Sequence, residues 1–302
     1  MVKTCAKTSC GVLRPFCFAL LSVVLAFLTL TASAAITVTG ADGHTLTLNK
    51  PATRVVSLAP DLTELAYAAG ADMVGAGRYS DYPAAAKKLP RIGDAFHVDL
   101  ERLLALKPDL VLAWQGGTPP QLIAELRVLK LPVLVIGTHE LTDIANNLEL
   151  IGQATGREAE AHAAAQAFLA GLQGLRTQYA GRKLVRVFYE ISATPLYTVG
   201  GRQIISRMIE LCGGHNIFSD LTALAAPVSL EAVLARDPQA VVTGGDADAA
   251  MRLKEWQRWP QISAVKTGSL FSISGDLLAR ATPRILEGGQ QLCEDLDKTR
   301  RL

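Results

Sequence analysis

The apolar and polar positions of this chain predict alternating short strands and amphipathic helices. From residue 54 onwards, short apolar runs are followed by segments whose apolar residues lie three and four positions apart, a pattern typical of β/α units. Before this region, alternation around Asp42-Gly43 predicts a hairpin over 36–48, and 195–201 is predicted to be a loop. We predict strands at 54–58, 73–76, 133–136, 185–189 and 270–274, and helices at 60–70, 120–130, 141–156, 203–212, 248–256 and 283–297.

One segment occurs twice. Residues 99–113 and 229–243 align without gaps and match at six of fifteen positions. Each copy has the pattern of a capped short helix, ended by a proline and followed by a buried strand, with Asp99 or Ser229 as the N-cap. The apolar residues at 103–104 and 233–234 are expected to turn inward. The repeat therefore predicts two lobes of similar plan.

Each copy also carries a glutamate at the second helical position, Glu101 in the first and Glu231 in the second. The helix dipole favours a carboxylate there, and we expect both side chains to face solvent. Acidic first turns are common, so one copy alone would need no special explanation. Two copies at one offset indicate that each lobe presents a glutamate.

Residues 157–179 are rich in Ala, Gln, Glu and Leu and predict one long helix between the lobes. A flexible linker is absent there, which favours a stiff connection. The predicted fold is α/β: two lobes with parallel-type sheets flanked by helices, joined by one long rigid helix. The predicted divisions are a leader at 1–34, an N-terminal lobe at 36–156, the connecting helix at 157–181 and a C-terminal lobe at 182–302.

Composition supports a secreted, folded protein. The chain has 302 residues, of which 49% are hydrophobic and 19% charged, enough to bury two cores. Basic residues precede an apolar run over 16–30 that ends in Ala32-Ser33-Ala34, the layout of a cleaved secretory signal. The alternative is a membrane anchor, but the run is short for a helix that spans a bilayer. We expect a periplasmic protein without a membrane anchor.

Charge and cysteine usage change once residues 1–34 are set aside. Three of the 30 basic residues and none of the 28 acidic residues lie there, so the mature chain is nearly neutral and a nucleic-acid partner is not indicated. Cys212 and Cys293 remain, an even pair for an oxidising compartment. A disulfide is the economical interpretation, and two buried thiols are the alternative.

Motifs of catalysis are missing from the sequence. It has no G-x-S-x-G elbow, no Walker A segment, no G-x-G-x-x-G after a strand and no H-E-x-x-H. The histidines have no ligand-like spacing, so structural zinc is not expected. His97 and His139 lie in predicted loops, where either could still cap a haem iron or cobalt. We therefore expect a protein that is not an enzyme and has no cofactor or metal of its own.

Aromatic residues instead collect in loops at the ends of predicted strands, where open α/β sheets bind ligands. Their flat apolar surface suits a large, flat ligand held by area and stacking. Trp114 and Tyr82 could alternatively belong to the core. Asp276 and Arg280 could supply polar contacts from the second lobe or form an ordinary surface pair. The aromatic residues in question are Tyr79, Tyr82, Phe96, Trp114 and Tyr197.

At these residues the sequence resembles the periplasmic vitamin B12-binding proteins that serve an ABC importer. The likeness runs from about Arg54 to Asp295 and implies two α/β lobes bridged by a long helix, with a corrinoid clamped between them. It also implies a monomer that delivers the corrinoid to a dimeric membrane permease. The most specific segments are 63–66, 79–83, 106–111, 113–117, 212–214 and 290–293.

The resemblance assigns roles to individual residues. It implies that Tyr79 and Trp114 lie against the corrin and that Asp276 and Arg280 contact it from the second lobe. It makes Cys212 and Cys293 the family's disulfide. It also makes Glu101 and Glu231 the carboxylates that dock onto arginines of the importer.

The sequence also departs from the resemblance. Ala95, Ile191 and Ala225 stand where the family has further aromatic residues, and we expect Phe96 and Tyr197 to compensate for part of that area. Related haem- and siderophore-binding proteins share the fold and much of the Leu-Lys-Pro-Asp pattern. The alternative ligand is therefore haem, with Tyr79 or His97 on the iron, or a siderophore.

Overall fold

The structure is a computed structural model that describes residues 35–94, 97–245 and 247–302. The predicted signal at 1–34, together with Ala95 and Phe96, lies outside the described residues. The predicted hairpin is confirmed: strands β1 and β2 pair in antiparallel register. The strands are β1 (Ile36–Thr39), β2 (Thr45–Leu48), β3 (Val55–Ser57), β4 (Met73–Ala76), β5 (Leu110–Trp114), β6 (Val133–Ile136), β7 (Val185–Ala193), β8 (Leu196–Val199), β9 (Gly214–Asn216), β10 (Ala225–Pro227), β11 (Ala240–Gly244) and β12 (Leu270–Ile273).

The helices lie close to their predicted positions, with ends that differ by a few residues. A short 3-10 helix covers Ala84–Lys88 in addition. The α-helices are α1 (Pro60–Ala68), α2 (Leu100–Ala105), α3 (Pro120–Val128), α4 (Asp143–Thr155), α5 (Glu158–Tyr179), α6 (Ile204–Leu211), α7 (Leu230–Arg236), α8 (Ala249–Trp256), α9 (Ser263–Lys266), α10 (Gly275–Leu278) and α11 (Ile285–Arg300).

Each lobe is built on its own sheet, which confirms the predicted fold class. The N-terminal lobe has four parallel strands in the order β4-β3-β5-β6. The C-terminal lobe has six strands, in the order β10-β8-β7-β11-β12 with β9 paired to β7. Strands β7, β9, β11 and β12 pair in parallel, whereas β8 and β10 are antiparallel additions.

The prediction of a loop over 195–201 is wrong. Four of these residues form β8, which pairs with β7 on one side and β10 on the other. Only four residues separate Pro195 from Gly200-Gly201, too few for alternation to distinguish a strand from a turn. The strand forms because both neighbouring strands offer backbone partners, which is a tertiary effect.

Both faces of the central strands are buried, as expected for parallel sheets covered by helices. In β5, Leu110 and Leu112 join the largest apolar cluster, while Val111 and Ala113 face a second cluster within the N-terminal lobe. In β11, Val242 faces the largest cluster and its neighbour Val241 a third cluster within the C-terminal lobe.

Helix α5 connects the cores of the two lobes. Its buried residues recur every three or four positions, which places them on one stripe of the helix. Phe168 and Leu172 on this stripe belong to the same apolar cluster as Leu62 of the N-terminal lobe and Met208 of the C-terminal lobe. One continuous core therefore links the two sheets, and residues 35–302 form a single unit.

The two copies of the repeat have the same local chemistry. The side chains of Asp99 and Ser229 each accept a hydrogen bond from the backbone N–H three residues later, so both predicted N-caps are confirmed. Each helix is followed by a residue with positive φ, Lys107 at 47° and Asp237 at 42°. The carbonyls around these turns accept hydrogen bonds from Arg54 in the first lobe and Arg186 in the second. The two copies are therefore similar in structure as well as in sequence.

Burial on the two repeat helices follows the prediction except at one leucine. Leu103 and Val233 are fully buried and Leu234 is half-buried. Leu104 is 41% exposed, so the prediction that it turns inward is wrong. Helix α2 has only six residues, and its narrow buried stripe holds only one of its two adjacent leucines.

Cys212 and Cys293 form a disulfide, which confirms that prediction. Cys212 caps the end of α6 and Cys293 lies in the middle of α11, with the two Cα atoms 4.7 Å apart. Both residues are fully buried. The bond ties the last helix to the end of α6.

A buried carboxylate of the N-terminal lobe holds the C-terminal lobe against it. Glu64 lies on α1, and its side chain is only 2% exposed. It accepts hydrogen bonds from Arg280 at 2.8 Å, Arg284 at 3.2 Å and the hydroxyl of Thr282 at 3.1 Å. Because all three donors belong to the C-terminal lobe, this cluster holds the segment at 280–284 against α1 of the N-terminal lobe.

Further contacts between the lobes surround this cluster. Arg280 also binds Asp81 at 3.1 Å and donates to the backbone carbonyl of Tyr79 at 3.4 Å. The guanidinium of Arg284 stacks over the ring of Tyr82, 3.9 Å from its centroid. The loop at 79–82 is therefore held by arginines from the opposite lobe. On α6, Arg207 binds Glu140 of the N-terminal lobe at 3.1 Å.

We expect the double substitution Cys212→Ala with Cys293→Ala to lower the free energy of unfolding by about 4 kcal/mol. The bond closes a loop across 81 positions, and releasing it restores chain entropy to the unfolded state. Urea unfolding with and without reductant measures the effect. Reductant should destabilise the wild-type protein and leave the double variant unchanged; a wild-type protein insensitive to reductant would contradict this prediction.

The substitution Glu64→Gln should lower the free energy of unfolding by about 3 kcal/mol, because it leaves two largely buried guanidinium groups without their shared carboxylate. Asp81→Asn is the matched control. It removes another carboxylate partner of Arg280, but the side chain of Asp81 is 53% exposed. That control should cost less than about 1 kcal/mol. Equal losses in urea unfolding would show that burial of Glu64 is unimportant.

Candidate functional site

Two adjoining cavities open between the lobes at the carboxyl ends of the strands. The first has a volume of about 460 Å³ and the second of about 650 Å³. Trp114, Gly275 and Ala279 line both cavities, so one aromatic side chain stands at the boundary between them. This is the position where open α/β sheets bind ligands.

Trp114 is the last residue of β5, and its side chain is presented to the cleft by the turn that follows. It is 36% exposed, so it is not a core residue. Gly116 has a φ of 89°, which favours glycine. At Gly117 a Cβ atom would lie within 2 Å of the indole ring. The two glycines therefore turn the chain sharply and leave room for the ring to lie against the backbone.

Tyr79 projects from a loop that both lobes hold in place. Its ring is 68% exposed and lines the first cavity, and its φ of 67° is unusual for a tyrosine. The next residue, Ser80, is fully buried and accepts a hydrogen bond from Thr63 at 2.8 Å. Arg280 binds the carbonyl of Tyr79 from the C-terminal lobe. The exposed ring thus stands on a fixed backbone.

Asp276 and Arg280 line the first cavity from the C-terminal lobe, and their contact with a ligand stays a prediction. They also form an ion pair with each other at 2.8 Å. The guanidinium of Arg280 contacts three carboxylates, those of Asp276, Glu64 and Asp81. Burial lowers the pKa of Arg280, but the hydrogen bonds to Glu64 and Asp81 outweigh this and raise it. Its positive charge is therefore permanent and fully compensated.

The pKa values of two aspartates near the cavity are shifted in opposite directions. Burial raises the pKa of Asp61 to about 6, although the backbone N–H of Leu62 and the charge of Arg280 favour its ionised form. Burial also raises the pKa of Asp81, but the hydrogen bond and charge of Arg280, together with a backbone hydrogen bond and the charge of Lys87, outweigh it and the net shift is downward. As the pH falls below neutral, Asp61 therefore gains a proton while Asp81 remains ionised.

The structure places the other predicted ligand residues less centrally. Tyr197 is half-buried on β8 and is absent from the described linings of the two cavities. Its role, like that of Phe96, stays a prediction. Ile191 and Ala225, two of the three departures from the family's aromatic residues, do line the second cavity. The two loop histidines lie outside both linings, and the side chain of His97 is 90% exposed beside Asp94.

Several lining residues were not predicted from the sequence. Tyr189 lies within β7, where a run of apolar residues indicates core, and it is only 3% exposed, yet it lines the second cavity. Leu224 lines the same cavity from the loop before β10. Asp61 follows a proline at the start of α1, where an acidic residue is an ordinary helix feature. No signal in the sequence distinguishes these residues from structural ones.

Glu101 and Glu231 are both exposed near the start of their helices, as predicted. For Glu231, its own backbone N–H and the hydroxyl of Ser229 lower the pKa of the carboxyl. It therefore carries its charge throughout the neutral range. Each lobe thus presents one glutamate on a capped helix outside the cavity linings.

Neither a metal site nor a bilayer-spanning helix is found within 35–94, 97–245 and 247–302. No group of three or more His, Cys, Asp and Glu side chains in these ranges is arranged to hold a metal ion. The helices in the same ranges are too short or too polar to cross a bilayer.

Curated relatives of this chain share most of its length. A vitamin B12-binding protein of Vibrio cholerae is 39% identical over 246 residues, which cover 80% of this chain and 88% of the relative. A vitamin B12-binding protein of Vibrio parahaemolyticus is 35% identical over 258 residues, covering 84% and 92% of the two chains.

Solved structures agree with this relationship. The periplasmic vitamin B12-binding protein BtuF of Vibrio cholerae superposes with a TM-score of 0.79 at 37% identity, covering 83% of this chain and 99% of that one. A periplasmic haem-binding protein of Pseudomonas aeruginosa superposes with a TM-score of 0.71 at 26% identity, covering 80% and 91%. The model of the periplasmic binding protein family matches residues 55–277. This chain, with its two α/β lobes and the cleft between them, belongs to the periplasmic binding protein family.

Proposed function

We propose that this protein captures cobalamin or a related corrinoid in the cleft between its lobes and delivers it to an ABC importer. The observation that carries the proposal is the pair of adjoining cavities on either side of Trp114, with the exposed ring of Tyr79 in the first. Flat aromatic surface next to a roomy apolar cleft suits a large macrocycle held by stacking. The vitamin B12-binding relatives, at 35–39% identity, support the same ligand class.

The role of each cleft residue follows from its position. Trp114 and Tyr79 supply stacking area from the N-terminal lobe, and Asp276 offers a carboxylate from the C-terminal lobe. Arg280 already binds three carboxylates, so its main contribution is to position Asp276 and the loop of Tyr79. No side chain needs to form a covalent bond with the ligand, and we propose that the protein binds without catalysis.

We further propose that Glu101 and Glu231 dock onto the importer. One exposed carboxylate on an equivalent helix of each lobe fits the pseudo-two-fold face of a dimeric permease. Exposed ion pairs are individually weak, so this contact orients the encounter more than it holds it. In the same proposal the protein is a periplasmic monomer, exported by the cleaved signal at 1–34.

A related haem-binding function has one specific observation in its favour. Tyr79 presents an exposed phenol to the first cavity. A phenolate there could bind a haem iron. Binding experiments with haemin alongside cobalamin separate the two ligands.

We expect Trp114→Ala to weaken cyanocobalamin binding by at least about tenfold, because the substitution removes the aromatic surface between the two cavities. Isothermal titration of the protein from Ala35 onwards measures the dissociation constant. Trp259→Ala, at a tryptophan absent from both cavity linings, is the control and should leave the affinity unchanged. Tight binding of haemin with none of cyanocobalamin would overturn the corrinoid proposal and retain the fold.

Substituting Glu101→Ala together with Glu231→Ala should leave cyanocobalamin affinity intact and abolish ligand-dependent stimulation of the importer's ATP hydrolysis. The control pair is Glu125→Ala with Glu158→Ala, since these glutamates are also exposed and lie on other helices. That pair should stimulate the importer like the wild-type protein. Unchanged stimulation by the first pair would refute the docking role.

A further inference from the structure

The first cavity is walled by more negative than positive charge. Three aspartates and two arginines line it among the described residues, one more negative charge than positive when all are ionised. The charged residues of the lining are Asp61, Asp94, Asp276, Arg78 and Arg280.

Arg280, the arginine that the C-terminal lobe contributes, is already paired with carboxylates and does not attract an anionic ligand group. Arg280 forms ion pairs with Asp276, Glu64 and Asp81 at 2.8–3.1 Å, and its side chain is only 13% exposed. The remaining cation of the lining, Arg78, is exposed to solvent, where its field is screened. Asp61 belongs to this lining at the start of α1, so an anionic ligand group placed beside it would be repelled by its ionised carboxylate.

We infer that Asp61 selects against macrocycles that carry a carboxylate at this wall and in favour of those that carry a neutral amide. The inference rests on the proposed corrinoid function and names the substrate class within it. An ionised Asp61 accepts hydrogen bonds from the N–H groups of a primary amide and repels a carboxylate. Cobalamin carries peripheral amides, whereas haem carries propionates.

Selection of this kind depends on pH in a defined direction. The pKa of Asp61 is raised to about 6 by burial, so its charge is present above that pH and absent below it. Arg78, Tyr79 and Asp94 from loops of the N-terminal lobe and Asp276 and Arg280 from the C-terminal lobe share this lining with Asp61, and Glu64 on its own helix acts on it electrostatically. A carboxylate-bearing ligand should therefore bind more weakly as the pH rises through about 6, and an amide-bearing ligand should change less.

The test compares cyanocobalamin, its separate monocarboxylic acids made by hydrolysing one peripheral amide, and haemin. Each is titrated into the protein from Ala35 onwards at about pH 5 and about pH 8. For at least one acid isomer, we expect affinity at least about tenfold below that of cyanocobalamin at the higher pH, and a smaller penalty at the lower pH.

Asp61→Asn is the decisive variant, because it keeps the shape of the side chain and removes its charge. In this variant the penalty on that isomer should shrink and become the same at both pH values. Glu125→Gln, which removes an exposed carboxylate from α3, should behave like the wild-type protein. Thermal unfolding of each variant shows that it is folded.

The outcomes separate this inference from the proposed function. If every acid isomer binds like cyanocobalamin at about pH 8, or if Asp61→Asn leaves the penalty unchanged, selection by Asp61 is refuted while corrinoid binding stands. If haemin binds tightly at that pH and cyanocobalamin does not, both the selection and the corrinoid function are refuted.

Discussion

The buried carboxylate of Glu64 is the constraint on which the geometry of the cleft depends. A charge with a side chain only 2% exposed must be compensated, and its three partners all come from the opposite lobe. The segment at 280–284 is therefore drawn against α1, and the loop at 79–82 is held between them. The ring of Tyr79 in the cleft is therefore positioned by this ion cluster.

The continuous core and the ion cluster act on the same pair of lobes at different places. Helix α5 contributes one apolar stripe to a cluster that extends from Leu62 to Met208, so the sheets cannot separate without exposing apolar surface. Glu64 adds directional bonds at the cleft itself. A cleft held in both ways presents Trp114 and Tyr79 on a preformed surface, which reduces the conformational entropy that the protein loses when a ligand binds.

The repeated segment has the same local structure in both lobes, held by the same kinds of hydrogen bond. Each repeat has a capped helix, a positive-φ turn and an arginine that binds the carbonyls of that turn. The lobes differ in the charges that they bring to the cleft. The N-terminal lobe contributes two of the carboxylates that bind Arg280, which itself belongs to the C-terminal lobe. Equivalent helices outside the cleft and an asymmetric wall inside it allow the proposed docking and the proposed ligand selection to depend on different residues.

The sequence by itself determined the α/β class, the long helix, the two N-caps and the disulfide pair, since each depends on local periodicity, capping or composition. The aromatic residues at strand ends could also be predicted, because the end of a parallel strand marks the ligand edge of its sheet. Only the tertiary structure decided that 196–199 is a strand, that Leu104 is exposed, and that Tyr189 and Asp61 reach the cleft. The two arginines on Glu64 lie more than 200 positions away from it, and no local pattern records which distant charges will meet.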